Sequence, residues 1–185
     1  MEAIRTLSAV FPDAAKDLRL NLSAVLQDGA LSERRRFAVA LASALAVRDA
    51  ELAQAVREAG QATGALDEGL VDDASAAVAL MGMNNIYYRF RHMVGKPEYA
   101  TLPAKLRMNR MASPRSSKED FELMALAVSA ITGCEACVRA HEASLVGLGL
   151  TVDQIHDAVR IASVVHGAAS ALALRSMEGD AALSN

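Results

Sequence analysis

Apolar residues recur at helical spacing along this chain, and nowhere do β-branched and polar residues alternate in a run. That pattern leaves no candidate strand and points to an all-α fold. Pro12 to Leu26 reads as one helix with Ala15, Leu18, Leu22 and Leu26 on a face. Ser32 caps a second, which sets Phe37, Leu41 and Leu45 on one side. Ala50 to Gly60 forms a third and Glu68 to Val94 a long fourth. Tyr99 to Met111 forms a short fifth, ended by Ser113-Pro114. Ser117 and Asp120 both suit the cap of a sixth, which Gly133 stops after Thr132. Cys134 to Leu148 is a seventh. Thr151, with Gln154 completing a capping box, opens an eighth that reaches about Met177. Apolar residues make up 52% of the chain but aromatics only 4%, so the core is built from Ala, Leu, Val and Met, mostly good helix formers.

At 185 residues the expectation is a single domain over 1–185, a bundle of about eight helices, with a frayed tail from about residue 178. The start Met1-Glu2-Ala3-Ile4-Arg5 does not read as a signal peptide, and no apolar run reads as long enough to span a membrane. A cytoplasmic location is expected. There the thiol pool keeps cysteines reduced, so paired cysteines point to catalysis or metal binding rather than to a structural cross-link. The net charge is −3 with mixed signs along the chain, and no basic stripe marks a nucleic-acid partner.

A faint internal echo runs through the chain. Glu33, Ser43-Ala44, Ala50 and Asp67 match Glu119, Ser129-Ala130, Ala136 and Asp153 at a constant offset of 86. An ancient duplication with one active copy explains it, and so does coincidence among alanine-rich helices. In the first copy Arg48, Glu51 and Ala55 stand where the second has Cys134, Cys137 and His141.

Those three residues hold most of the chemistry in the chain. Cys134 and Cys137 are its two cysteines, and a disulfide between them closes within about one helical turn. Gly133 ends one helix, so Cys134 falls at the first turn of the next, where the positive dipole end favours a thiolate. Cys137 lies one turn on and His141 one turn further, on the same face, where an imidazole can take the proton of Cys137. The dipole thus favours Cys134 as the more acidic thiol, and the histidine spacing favours Cys137. Glu122, on the preceding helix among Phe121, Leu123, Met124 and Ala125, is the candidate partner for His141. A carboxylate in so apolar a stretch needs one.

Blander readings compete. Zinc at Cys134, Cys137 and His141 lacks an obvious fourth ligand, with His156 and His166 the available candidates. Glu122 taken alone reads as a surface residue. His92, His156 and His166 read as ordinary polar or core positions. Met81-Gly82-Met83-Asn84-Asn85 reads as tight helix packing with an asparagine bonded internally, and Arg34-Arg35-Arg36 as a solvated face.

Nearly the whole chain resembles the AhpD (alkyl hydroperoxide reductase D) family of the carboxymuconolactone decarboxylase-like superfamily. The resemblance is carried by Lys16-Asp17-Leu18-Arg19-Leu20-Asn21-Leu22-Ser23, Met81-Gly82-Met83-Asn84-Asn85 with Tyr88-Arg89, and Leu106-Arg107-Met108-Asn109. It continues through Phe121-Glu122-Leu123, Ala127-Val128-Ser129-Ala130-Ile131 before Gly133-Cys134, and Ala140-His141-Glu142. It implies an all-α homotrimer that reduces an AhpC-type peroxiredoxin with electrons from the dihydrolipoyl group of a carrier protein, with no bound cofactor. It also implies weaker hydroperoxidase activity of its own. Carried over by position, Cys137 is the attacking thiol and Cys134 the proton donor and resolving thiol, with His141 and Glu122 as the proton relay. The chain departs from the family pattern at Ala136, where a second histidine is expected, with Glu135 beside it. Both changes are expected to raise thiol pKa or make the disulfide less oxidising. The competing functions are a carboxymuconolactone-type decarboxylase, which needs no dithiol, and a zinc-stabilised interaction protein.

Overall fold

The computed structural model describes the backbone of residues 1–183 and the side chains of residues 1–177. Among the described residues it contains helices and no strand. In chain order these are α1 (Glu2–Ala9), a 3-10 turn (Asp13–Ala15), α2 (Lys16–Gln27), α3 (Glu33–Ala46), α4 (Ala50–Ala62) and α5 (Glu68–Val94). They continue with α6 (Pro97–Thr101), α7 (Asn109–Ala112), α8 (Lys118–Thr132), α9 (Glu135–Gly147) and α10 (Val152–Leu183). The all-α reading holds, with ten helices in place of about eight. Helix α1 escaped the sequence reading because it offers only Ile4 and Leu7 as buried apolar anchors. The expected helix from Tyr99 to Met111 is two short pieces. Pro103 holds Leu102 in an extended conformation (ψ 133°), and Lys105 takes a left-handed φ of 52°, so the helix stops and restarts. The last helix runs past Met177 to Leu183. The frayed tail expected from about residue 178 falls outside the residues whose side chains are described.

Helices α3 and α8 lie at the centre and pack on one another, with α5 and α10 packed against both. Every residue from Asp120 to Ser129 is buried, as is every residue from Phe37 to Ala44. An α-helix apolar on all sides is a core helix, and the alanines of α3 and α8 let neighbours approach from every direction. Helix α9 packs on α8 and α5, α4 on α3, and α1 on α4. Ser32, Asp49, Asp67 and Ser117 each cap a helix by accepting from a backbone N–H three residues on. Ser117 is thus the cap of α8, while Asp120 accepts from Arg35 Nε at 2.8 Å.

The arginine run is not a solvated face. Arg34 pairs with Asp67 and Arg35 with Asp120, and Arg36 donates to the carbonyls of Leu26, Gln27 and Leu31 at the end of α2 and just beyond it. Helix α10 corrects a second expectation. Residues Val152–Met177 are long and apolar enough by composition to cross a bilayer, with mean hydropathy 1.2 in their most apolar stretch. Ile155, Ala158, Ile161, Ala162, Val165, Ala168, Ala171 and Leu172 are instead buried, and the helix packs on α2, α3 and α8.

The sequence echo has a structural counterpart. Shifted by 86 residues, α3, α4 and the start of α5 fall on α8, α9 and the start of α10 to within two residues.

Candidate active site

Gly133 ends α8 in the left-handed region (φ 69°), which a residue without a side chain adopts freely. The chain then turns so that Cys134 is the N-cap of α9 and Cys137 lies in its first turn. The turn is pinned from α5. Asn85 Nδ2 donates to Thr132 Oγ1 (2.7 Å), Ser129 Oγ donates to Asn85 Oδ1 (3.1 Å), and an Arg89 N–H donates to the Thr132 carbonyl (2.6 Å). Asn85 is therefore the internally bonded asparagine that the Met81–Asn85 segment led one to expect. The segment is not tightly packed at its glycine, however: a Cβ on Gly82 would meet nothing within 4 Å.

Cys134 and Cys137 form a disulfide, their Cα atoms 5.3 Å apart. The two sulfurs are not equivalent. Cys134 is wholly buried, whereas Cys137 is 6% exposed and lines a cavity of about 310 Å³. Ala136, Ala140 and His141 join Cys137 on the α9 side of this cavity. Met81, Asn84 and Tyr88 of α5, with Met108 and Met111 from the α7 segment, form the rest.

Glu122 and His141 meet across the α8–α9 pair. Glu122 is only 4% exposed and His141 6%, so the reading of Glu122 as a surface residue fails. Glu122 Oε2 accepts from His141 Nδ1 at 2.6 Å, and Glu122 Oε1 accepts from Lys118 Nζ at 2.9 Å. Burial pushes the Glu122 carboxyl up, but the bonds from His141 and Lys118 outweigh it and hold the pKa below the usual glutamate value. An ionised carboxylate only accepts hydrogen bonds, so Nδ1 carries a proton toward Glu122, and in the neutral form of the ring the lone pair lies on Nε2. Nε2 faces the thioether of Met81 at 3.2 Å. A thioether offers no proton, so that lone pair has no donor there.

Lys118 was missed in the sequence, although it stands four residues before Glu122 on one helix face, a spacing that pairs opposite charges. Its Nζ also donates to the Met111 carbonyl (2.9 Å), tying the α7 segment to the carboxylate. Glu135 does not face the sulfurs. It is exposed, Arg139 beside it on α9 and then His92 hold its carboxyl below the usual range, and its charge is matched. His156 and His166 are exposed on α10. Among the described residues no three His, Cys, Asp or Glu side chains are grouped to hold a metal.

Residues 97–177 match the family model described as "Carboxymuconolactone decarboxylase family". Curated relatives match along almost the full chain. The protein named alkyl hydroperoxide reductase AhpD from Anaeromyxobacter dehalogenans (strain 2CP-C) is 54% identical over 94% of this chain and 92% of its own length. The proteins of the same name from Hyphomonas neptunium and Brucella suis are 46% and 43% identical, each over 92% of this chain and over 94% and 96% of their own lengths. With the dithiol, the buried carboxylate–imidazole pair and these relatives in agreement, the chain belongs to the AhpD group of the carboxymuconolactone decarboxylase family.

Proposed function

We propose that this protein is a dithiol hydroperoxide reductase in which Cys137 attacks and Cys134 resolves. The observation that carries the reading is the cavity, which Cys137 and His141 both line, with the Glu122-bound imidazole as the base in this reading. The burial of Cys134 and its absence from the cavity wall support the resolving role for it. In the reduced protein His141 takes the Cys137 proton, and Glu122 stabilises the imidazolium that forms. The thiolate attacks the terminal oxygen of a hydroperoxide, the O–O bond breaks, and the alcohol leaves with a proton. Cys137 is now a sulfenic acid. The Cys134 thiol displaces its hydroxyl as water, and the disulfide forms. A dihydrolipoyl group then supplies two electrons and two protons and leaves as the cyclic disulfide. The same dithiol reduces an oxidised AhpC-type peroxiredoxin by exchange through Cys137. The lipoylated carrier protein, the peroxiredoxin and a cytoplasmic setting all belong to this proposal.

A homotrimer belongs to it as well. Ile86, Phe90 and Met93 form an exposed apolar stripe on α5, continued by Tyr99 and Leu102, and such a face is covered on association. Light scattering at a mass of three chains supports this part, and a monomer removes it. The catalytic reading is tested with Cys137→Ser. Turnover of an alkyl hydroperoxide with free dihydrolipoamide should vanish, and retention of full activity rejects the dithiol mechanism.

A further inference from the structure

Asn85 has both ends of its amide bonded, and its neighbour Asn84 is the reverse case. Asn84 is 4% exposed, yet its Oδ1 has no hydrogen-bond partner among the described residues. Its Nδ2 meets the Met111 thioether at 3.7 Å, and a thioether is a weak acceptor. A buried amide without strong partners destabilises a fold, and a leucine of similar shape would not. Such a group calls for an explanation outside folding. Turning the amide about its Cβ–Cγ bond gives up no strong bond, so either end can be presented to a ligand.

Asn84 also stands where a ligand would come. Met81, Asn84 and Tyr88 share one face of α5 at helical spacing, and all three line the dithiol cavity with Cys137 and His141. At about 310 Å³ the cavity has the size of a small-molecule site. Met108, Met111, Ala136 and Ala140 make much of its wall apolar. A hydroperoxide at this wall has one group still unserved. Cys137 supplies the nucleophile, and His141, bound to Glu122, exchanges the proton. The O–H of the peroxide loses its water partner on entering and needs an acceptor. Asn84 Oδ1 is an acceptor in need of a donor, so each group satisfies the other.

We propose that Asn84 binds the terminal O–H of the hydroperoxide in this cavity, Oδ1 accepting from it, and so turns the oxygen that bears it toward Cys137. The inference rests on the dithiol reading above and adds a substrate-binding residue to it. The Cys137 thiolate attacks that oxygen, an S–O bond forms and the O–O bond breaks. The peroxide is reduced to an alkoxide, which takes the proton held by His141 and leaves as the alcohol. The sulfur is oxidised to a sulfenic acid, whose O–H is the one that Asn84 already holds. The bond is released when the Cys134 thiol displaces that hydroxyl as water. The amide orients the substrate for attack and itself carries no proton.

The test separates the peroxide step from the reactivity of the thiols. Reduced protein, freed of reductant, is mixed with tert-butyl hydroperoxide, and loss of the Cys137 thiol is followed by alkylation and mass spectrometry. A parallel sample is mixed with dithiodipyridine, a neutral disulfide that has no O–H to hold. In Asn84→Leu the peroxide step should slow about tenfold, the worth of one neutral hydrogen bond, while the disulfide reaction stays within about twofold of the parent. The melting temperature should hold or rise, because the amide without partners is gone. Asn84→Ala removes the same amide, should show the same split, and stands in if the leucine variant does not fold. An unchanged peroxide step overturns the assignment. Equal slowing of both reactions makes Asn84 a support of the dithiol and overturns it too. Slowing in Tyr88→Phe with none in Asn84→Leu moves the role to the Tyr88 hydroxyl, with the same consequence. If the reduced parent protein reacts with the disulfide but not with the hydroperoxide, the peroxide-reducing reading beneath the proposal falls instead.

Discussion

Replacing Glu122 with Gln separates the charge of the relay from its shape. Glu122 uses one oxygen for His141 Nδ1 at 2.6 Å and the other for Lys118 Nζ at 2.9 Å. A glutamine keeps one acceptor and turns the other into a donor, so it cannot serve both partners. If its oxygen faces His141, the amide meets the Lys118 ammonium, which can retreat to the Met111 carbonyl and solvent. If its amide faces His141, the ring must change tautomer and Nε2 stops being a base. In both cases the imidazolium formed when Cys137 gives up its proton loses its counter-charge. A charge-assisted bond exceeds a neutral one by about 1–1.5 kcal/mol, which sets a floor near tenfold in rate. Two unit charges about 4 Å apart at an effective dielectric of about 20 interact by about 4 kcal/mol, which sets a ceiling near a thousandfold. The value of kcat/KM for an alkyl hydroperoxide with free dihydrolipoamide should therefore fall about 10- to 1000-fold. Urea unfolding of the same sample should show a loss of only about 1–3 kcal/mol, because Lys118 has water to turn to. A variant that unfolds like the parent and turns over within about twofold of it would refute the relay.

Four further outcomes are expected. Cys134→Ser should consume one equivalent of peroxide and stop, with a sulfenic acid on Cys137 captured by dimedone and seen by mass spectrometry; continued turnover contradicts its resolving role. Ala136→His places an imidazole on the cavity wall beside Cys137 and should lower the pH at which that thiol alkylates, and an unchanged profile means the side chain does not reach the sulfur. In acid, burial pushes the Asp73 and Glu122 carboxyls up, but Ser116, Arg115 and Arg110 around Asp73, and His141 and Lys118 around Glu122, leave both below their unfolded values of 3.8 and 4.5. The stability they contribute is present above those values and lost as pH falls through the folded pKa, so urea midpoints should be flat above about pH 5 and fall below it, less steeply in Asp73→Asn. Leu52→Ala, in the fully buried face of α4 against α1 and α3, should cost about 2–5 kcal/mol without changing kcat/KM, and a change in kcat/KM would tie α4 to the site.

What could be read from the sequence follows from what is periodic or local. The long helices announce themselves because their apolar faces repeat and their caps are chemical: Ser32, Asp49, Asp67 and Ser117 all accept the bonds their residue types promise. Cys134, Cys137 and His141 were legible because they share one helix and its 3.6-residue repeat. Glu122 was legible through the cost of leaving a carboxylate in an apolar run. Contacts between elements distant in sequence were not legible. Nothing local tells that Met81 Sδ stands against His141 Nε2, that Met108 and Met111 wall the cavity, or that Glu135 meets His92 of α5. The arginine run misled for the same reason, since its three partners come from the end of α2, from Asp67 and from Asp120. Lys118 is different: its spacing to Glu122 was visible, but it signifies only once Glu122 is known to be buried.

The repeated helical unit separates what the scaffold needs from what the chemistry needs. At the offset of 86, Arg36 stands for Glu122, Arg48 for Cys134, Glu51 for Cys137 and Ala55 for His141. Arg36 spends its donors on carbonyls at and beyond the end of α2, and Arg48 takes a left-handed conformation after α3, one position later than Gly133 does after α8. Glu51 and Ala55 line a groove between α1 and α4 of about 660 Å³, larger than the dithiol cavity but with no thiol or imidazole on it. Two sets of helices with matching boundaries thus form with entirely different residues at these four positions. The scaffold does not require a buried carboxylate and imidazole, and burying such a pair is at best neutral for stability, since desolvation offsets the attraction. Their presence in one copy, with His141 on the same cavity wall as Cys137 and Lys118 on the other oxygen of the carboxylate, is what the proposed proton relay would require and the scaffold alone does not.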